Sequence, residues 1–137
     1  MGEVRFFVPD TPVAKGRPRF TRGGIAYTPP KTANFEALVK WEYHRQTGGY
    51  RFPDDAQLGM RVEAYFDIPK SKTKKVQRGM ESGEIKHTSK PDADNLLKAV
   101  ADGLNHVAYR DDSAICHVEV DKRYGRTSGT RITIWEL

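Results

Sequence analysis

Between Met60 and Pro69 the chain reads MRVEAYFDIP, with Val62, Ala64, Phe66 and Ile68 alternating against polar neighbours. A period of two puts successive side chains on opposite faces, so the segment predicts a half-buried strand. Such a strand needs neighbours to pair with and a layer packed over its apolar face. EVRFFVP (3–9), AICHVEV (114–120) and RITIWEL (131–137) are rich in branched and aromatic residues and supply the candidate neighbours. YGRTSG (124–129) has turn chemistry, which predicts that the strands at 114–120 and 131–137 form a hairpin.

The covering layer comes from two helical patterns. Thr32 is placed to cap a helix in which Phe35, Leu38 and Val39 follow the i, i+3, i+4 spacing and Gly48-Gly49 gives the stop. A second helix is predicted behind Asp94 as N-cap, with Leu97, Val100, Ala101 and Leu104 on its apolar face and an end near Asn105. Residues 10–30 carry four of the eight prolines and three glycines, the composition of a long ordered loop or irregular hairpin. Residues 70–84 are too polar to contribute to a core and read as a weak surface helix or a mobile loop. The expectation is one α+β domain over 1–137, with a mixed or mainly antiparallel sheet and two main helices.

The single Cys116 excludes an intrachain disulfide framework and a thiolate metal cluster, which fits a reducing cytosol. No apolar run approaches the roughly 18 residues of a membrane span, and MGEVRFF lacks a signal-peptide core. The chain therefore reads as soluble and cytoplasmic, without a membrane partner. Nothing points to a small-molecule cofactor. His44, His87, His106 and Cys116 have no ligand spacing among themselves, although His87 lies near the acidic segment described next. Trp41 and Trp135 are assigned to the core or to a subunit interface.

Net charge is +5 but unevenly spread: residues 1–90 hold 17 Lys/Arg against 10 Asp/Glu, and residues 91–137 hold 6 against 8. The first part attracts polyanions and the second attracts cations. PDADNLLK (91–98) sets two aspartates two positions apart after a proline, and RDD (110–112) brings a second acidic pair. If 86–90 is extended and the helix starts at 95, Asp92 and Asp94 point the same way. The short connection after the helix then lets Asp111 and Asp112 reach the same spot. Three or four converging carboxylates repel one another, and a divalent cation relieves the repulsion. Oxygen donors without cysteine or a histidine cluster favour Mg²⁺, with Mn²⁺ as a substitute, over Zn²⁺. Lys98 and Asp102 continue the stripe one and two turns beyond Asp94. Lys98 is either an ordinary surface ion-pair partner or a cation that steadies charge on a phosphate. Aspartates also serve caps and turns for local reasons, so a metal site and a solvated turn both stand at this point.

Lys15, Arg17, Arg19 and Arg22 punctuate the Pro/Gly-rich loop, with Phe20 and Tyr27 interleaved. Cations alternating with aromatics suit phosphate contacts and stacking on exposed bases. Lys70, Lys72, Lys74, Lys75 and Arg78 form a second basic group without aromatics, closer to a solvated face.

KPDADNLLKAVADGLNHVAYRDDSAI (90–115) resembles the signature of the RusA family of Holliday junction resolvases. There a Pro-Asp-x-Asp-Asn-Leu-x-Lys segment is followed by an aspartate in the helix and then an Asp-Asp pair. KGRPRF (15–20) and YTPPKTANFE (27–36) are similar to the family's amino-terminal region. The resemblance implies a RusA-like, Mg²⁺-dependent endodeoxyribonuclease that acts as a homodimer on four-way junction DNA in recombination and repair, nicking two opposed strands symmetrically. By motif position, Asp92, Asp94 and Asp112 would be the essential metal-site carboxylates and Lys98 the essential lysine, with Asp111 the first member of the pair. Gly103 and His106 depart from residues common at their positions, a better helix former and a small turn residue. Two rival readings are a catalytically silent branched-DNA-binding protein whose aspartates only cap and turn, and a nuclease for other branched or flap DNA.

Overall fold

The computed structural model describes residues 2–16 and 18–137. Along the chain run β1 (Glu3–Pro9), β2 (Arg19–Phe20), β3 (Ala26–Tyr27), α1 (Pro30–Thr47), β4 (Leu58–Asp67), α2 (Lys74–Ser82), α3 (Ala93–Leu104), a 3-10 turn (Asp112–Ala114), β5 (Ile115–Gly125) and β6 (Gly129–Glu136). The alternating segment is the inner strand β4, where Val62, Ala64 and Phe66 are buried as their spacing predicts. It stops at Asp67, so Ile68 lies just outside it, ahead of a proline that cannot donate to the ladder.

Four strands form one mixed sheet in the order β1-β6-β4-β5. β6 runs antiparallel to both β1 and β4, while β5 runs parallel to β4, so Val62 faces Ile132 on one side and Val120 on the other. The hairpin expected between β5 and β6 is therefore absent: the turn reverses the chain, but β4 lies between the two strands it joins. Turn residues specify a change of direction and carry no information about which strand fills the gap. β4, apolar along one whole face, takes the doubly paired position, and β5, exposed over Cys116–Glu119, takes the edge.

α1 and α3 pack together over one face of the sheet, around a core that includes Phe6, Val39, Tyr43, Met60, Val100 and Ile132. Two helix starts differ from expectation. α1 begins at Pro30, whose fixed φ and missing N–H suit a first turn, and the N-cap is Pro29. Thr32 thus lies inside the helix, where its hydroxyl accepts from the Gly16 N–H at 2.9 Å and donates to the Ala14 carbonyl at 3.3 Å. α3 begins at Ala93 with Asp92 as N-cap, which moves Asp94 into the first turn. Gly48, at φ 71°, ends α1 as predicted.

Residues 74–82 are helical, capped by Thr73 accepting from the Val76 N–H at 3.3 Å. The segment is not wholly polar in its packing: α2 lies beside β5, and Met80 is buried. Trp41 is 64% exposed and outside the core. Trp135 is half-buried on the open face of the sheet, so close over Gly59 that a Cβ there would come within 2.4 Å of the indole.

Candidate active site

The first turn of α3 is held in place by the segment before it. The His87 ring stacks on Phe66 at 3.7 Å, the His87 backbone N–H donates to the Lys122 carbonyl, and the Lys122 ammonium donates to the Ser89 carbonyl at 2.6 Å. Burial, with the Lys122 charge adding to it, holds the His87 imidazole below its ordinary value, so it is kept neutral. The chain then enters α3 at Asp92, whose backbone carbonyl accepts from Leu96 while its carboxylate makes no capping bond. Local helix capping does not occupy that side chain.

With the helix starting at 93, Asp92 and Asp94 do not share an extended segment. Asp92 is the extended N-cap and Asp94 a first-turn helical residue, so the two-residue alternation that would aim both the same way is lost and they line different clefts. Asp94 faces a cleft of about 310 Å³ together with Lys98 and Asp112, and Leu97 and Ala101 of α3 with Ile115 and Val118 of β5 supply its apolar lining. Asp92 instead lines a neighbouring cleft of about 630 Å³ with Asn95, Lys90, Lys31 and Arg19.

Asp112 reaches the first cleft because the chain turns sharply after α3. Asn105 caps the helix, His106 adopts the left-handed region at φ 64°, and Asn105 bridges to Tyr109. His106 thus does the work of the small turn residue common there, its Nδ1 lying 2.6 Å from the Arg110 carbonyl. Tyr109 is buried and donates to the Ala101 carbonyl at 2.8 Å, and burial raises its phenol far above the ordinary value. The Asn105 side-chain oxygen then accepts from the Asp112 N–H at 3.1 Å. Asp111 is used differently: its carboxylate caps the 3-10 turn by accepting from the Ser113 N–H at 3.0 Å. Hydrogen bonds from Ser113, side chain first and backbone second, hold Asp111 below the ordinary carboxylate value.

Lys98 lies 3.4 Å from Asp102, which also receives Lys15 at 3.1 Å. Lys15 pairs with Glu36 at 2.8 Å as well, and its backbone N–H donates to the Asn95 carbonyl. Burial alone would lower the Lys15 ammonium, but the hydrogen bonds to Glu36 and Asp102 outweigh it and raise the pKa. Lys15 is therefore a brace between the loop, α1 and α3, with its charge already matched. Arg17 lies outside the described residues. Arg19 and Arg22 are exposed on the β2–β3 ribbon, and Lys72, Lys74 and Lys75 are exposed at the start of α2. Lys70, Lys74, Arg78 and Arg126 line a third cleft of about 710 Å³ beside α2, where Arg126 pairs with Glu81.

The sequence-predicted set thus divides. Asp94, Lys98 and Asp112 share one cleft, Asp92 faces the next, and Asp111 is engaged in its own turn. Among the described residues no three His, Cys, Asp or Glu side chains come close enough to enclose a metal ion. Two carboxylates in an open cleft still fit Mg²⁺, which keeps several waters and commonly takes one or two protein carboxylates alongside substrate phosphate. Sequence reasoning missed Asn105, Lys31 and Lys90. An Asn at a helix end reads as a cap, and nothing local reveals that its side chain also holds Asp112.

The model of the family Endodeoxyribonuclease RusA matches residues 9–135. The uncharacterized protein YqaN of Bacillus subtilis (strain 168) is 34% identical over 142 residues, an alignment covering 98% of this chain and 96% of that protein.

Proposed function

The chain belongs to the RusA endodeoxyribonuclease family, and on that premise we propose that it resolves four-way DNA junctions as a Mg²⁺-dependent homodimer, by paired symmetric nicks in opposed strands. The observation that carries this reading is the meeting of Asp94, Lys98 and Asp112 in one cleft, from two separate parts of the chain. Asp94 and Asp112 would hold the ion, with Asp92 the further carboxylate at the start of the same helix. When bound, the ion supplies an activated water and charge stabilisation at the leaving oxygen.

The chain's own residues do the rest. Lys98 offsets charge that develops on the phosphodiester. Leu97, Ile115 and Val118 give the cleft a wall that sheds water. Arg19, Lys31 and Lys90 border the adjoining cleft and would lead a DNA strand past Asp92. In a two-fold dimer the two clefts address symmetry-related strands. Asp92 free of capping, together with Asp94 and Asp112 in one place, counts against a silent DNA-binding protein whose aspartates only cap and turn.

Purified protein with Mg²⁺ is expected to cut a synthetic four-way junction at paired symmetric positions, and chelation with EDTA to stop cutting. Asp94→Asn is expected to bind the junction and leave it intact. Cutting by that variant at the wild-type rate would remove Asp94 from the chemistry, and a preference for flaps or forks over junctions would reassign the substrate.

A further inference from the structure

The β2–β3 ribbon stands apart from the main sheet, with Arg19 paired to Tyr27 and Phe20 to Ala26. Its tip is built tightly: the Thr21 N–H donates to the Ile25 carbonyl and the Gly24 N–H to the Thr21 carbonyl, each at 2.9 Å, with Gly24 at φ 80°. Its root is fixed by Lys15 to Asn95, the residue after Asp94, and by Gly16 to Thr32. Yet Phe20 and Ile25 are each 69% exposed and Tyr27 is 42% exposed. Scattered apolar residues on a surface need no explanation, but three on one braced tip serve no core. Arg19 and Arg22 flank Phe20, and the cleft between ribbon and α3 carries Lys31 and Lys90. The apolar tip is thus set in positive charge and tied to the turn that bears Asp94.

We infer that the β2–β3 tip is the branch-sensing element of the protein: Phe20, with Ile25 exposed at the same tip, stacks on bases left unstacked at a DNA branch point while Arg19 and Arg22 hold the flanking phosphates. The inference rests on the nuclease reading for its substrate. In a linear duplex the base faces are covered by their neighbours and the tip finds only phosphates. At a branch the faces are open, and an aromatic ring takes any base because every base has a π-face. The tip therefore gives preference for branched over linear DNA without preference for sequence.

The test uses full-length Asp94→Asn protein and two DNAs carrying 2-aminopurine, one at the centre of a four-way junction and one within a linear duplex. Binding is expected to change the fluorescence of the junction only. Adding Phe20→Ala and Ile25→Ala should abolish that change and weaken junction binding by about 5- to 150-fold, while duplex affinity stays within about twofold. The melting curve should be unchanged, since the tip packs against no core. Equal loss on both DNAs, or an unchanged fluorescence signal, overturns the inference. So does a switch from dimer to monomer in sedimentation, because the tip would then be meeting a second copy. If wild-type protein fails to cut but the fluorescence still depends on Phe20, the nuclease reading falls and the branch-sensing role stands. If wild type cuts and a Phe20→Ala/Ile25→Ala variant that keeps Asp94 cuts the junction equally well, only the branch-sensing role falls.

Discussion

Asn105 ties the two halves of the acidic cleft together with one hydrogen bond, from the Asp112 N–H to its side-chain oxygen at 3.1 Å. Asn105→Ala removes that acceptor and should cost about 1 kcal/mol of stability. The larger effect is expected in single-turnover cleavage, which should fall at least tenfold while junction affinity holds. An unaltered cleavage rate would show that Asp112 is positioned by the backbone alone. His87 gives a pH dependence with a definite sign. Its folded pKa lies below the unfolded value of about 6.5, so above that value both states are neutral and the fold keeps this contribution in full. As pH falls through that value toward the folded pKa, the unfolded chain takes up a proton that the folded site resists, and stability declines. Melting temperature should drop between pH 7.5 and 5.5, and His87→Phe, which keeps the stack on Phe66, should flatten that part of the slope. At this scale the sequence marked out the aspartates but not their aim, because side-chain direction turned on a two-residue shift in where α3 begins.

Within α3, Gly103 has a packing reason that helix propensity could not show. A Cβ there would lie 3.3 Å from the Val39 Cβ and 3.4 Å from the Glu36 carbonyl, so the glycine lets α1 and α3 approach closely. Gly103→Leu should overpack this crossing at a cost of about 1–3 kcal/mol, seen as a lower denaturation midpoint in urea. An unchanged midpoint would mean the helices can move apart freely. Both long helices were legible from apolar spacing, since Phe35, Val39, Val100 and Leu104 all face the core as their period predicts. Their starts were less legible. At Thr32 and Asp94 a good capping residue stands inside the helix, engaged in tertiary hydrogen bonding in one case and facing a cleft in the other. Capping chemistry marks candidates for a helix start, and the surroundings choose among them.

Across the whole molecule, basic charge sits on both the ribbon and α2, beside separate clefts. If Lys72, Lys74 and Lys75 each contact a phosphate, replacing all three with alanine should flatten the dependence of log binding constant on log salt by about 2 to 3. An unchanged slope would assign α2 to a solvated surface. The α+β class and the mixed sheet followed from strand and helix periods. The order of strands did not, because β5 and β6 are adjacent in sequence yet separated in the sheet by β4. Among the described residues, that placement leaves β6 as the one hydrogen-bonded neighbour of β1 in the sheet. A chain cut short before Gly129 would retain the β4–β5 pair but strand Phe6 and Val8 without a ladder to anchor them. The architecture closes only when segments from opposite ends of the sequence meet, so the step that unites the sheet is also the one with the longest search.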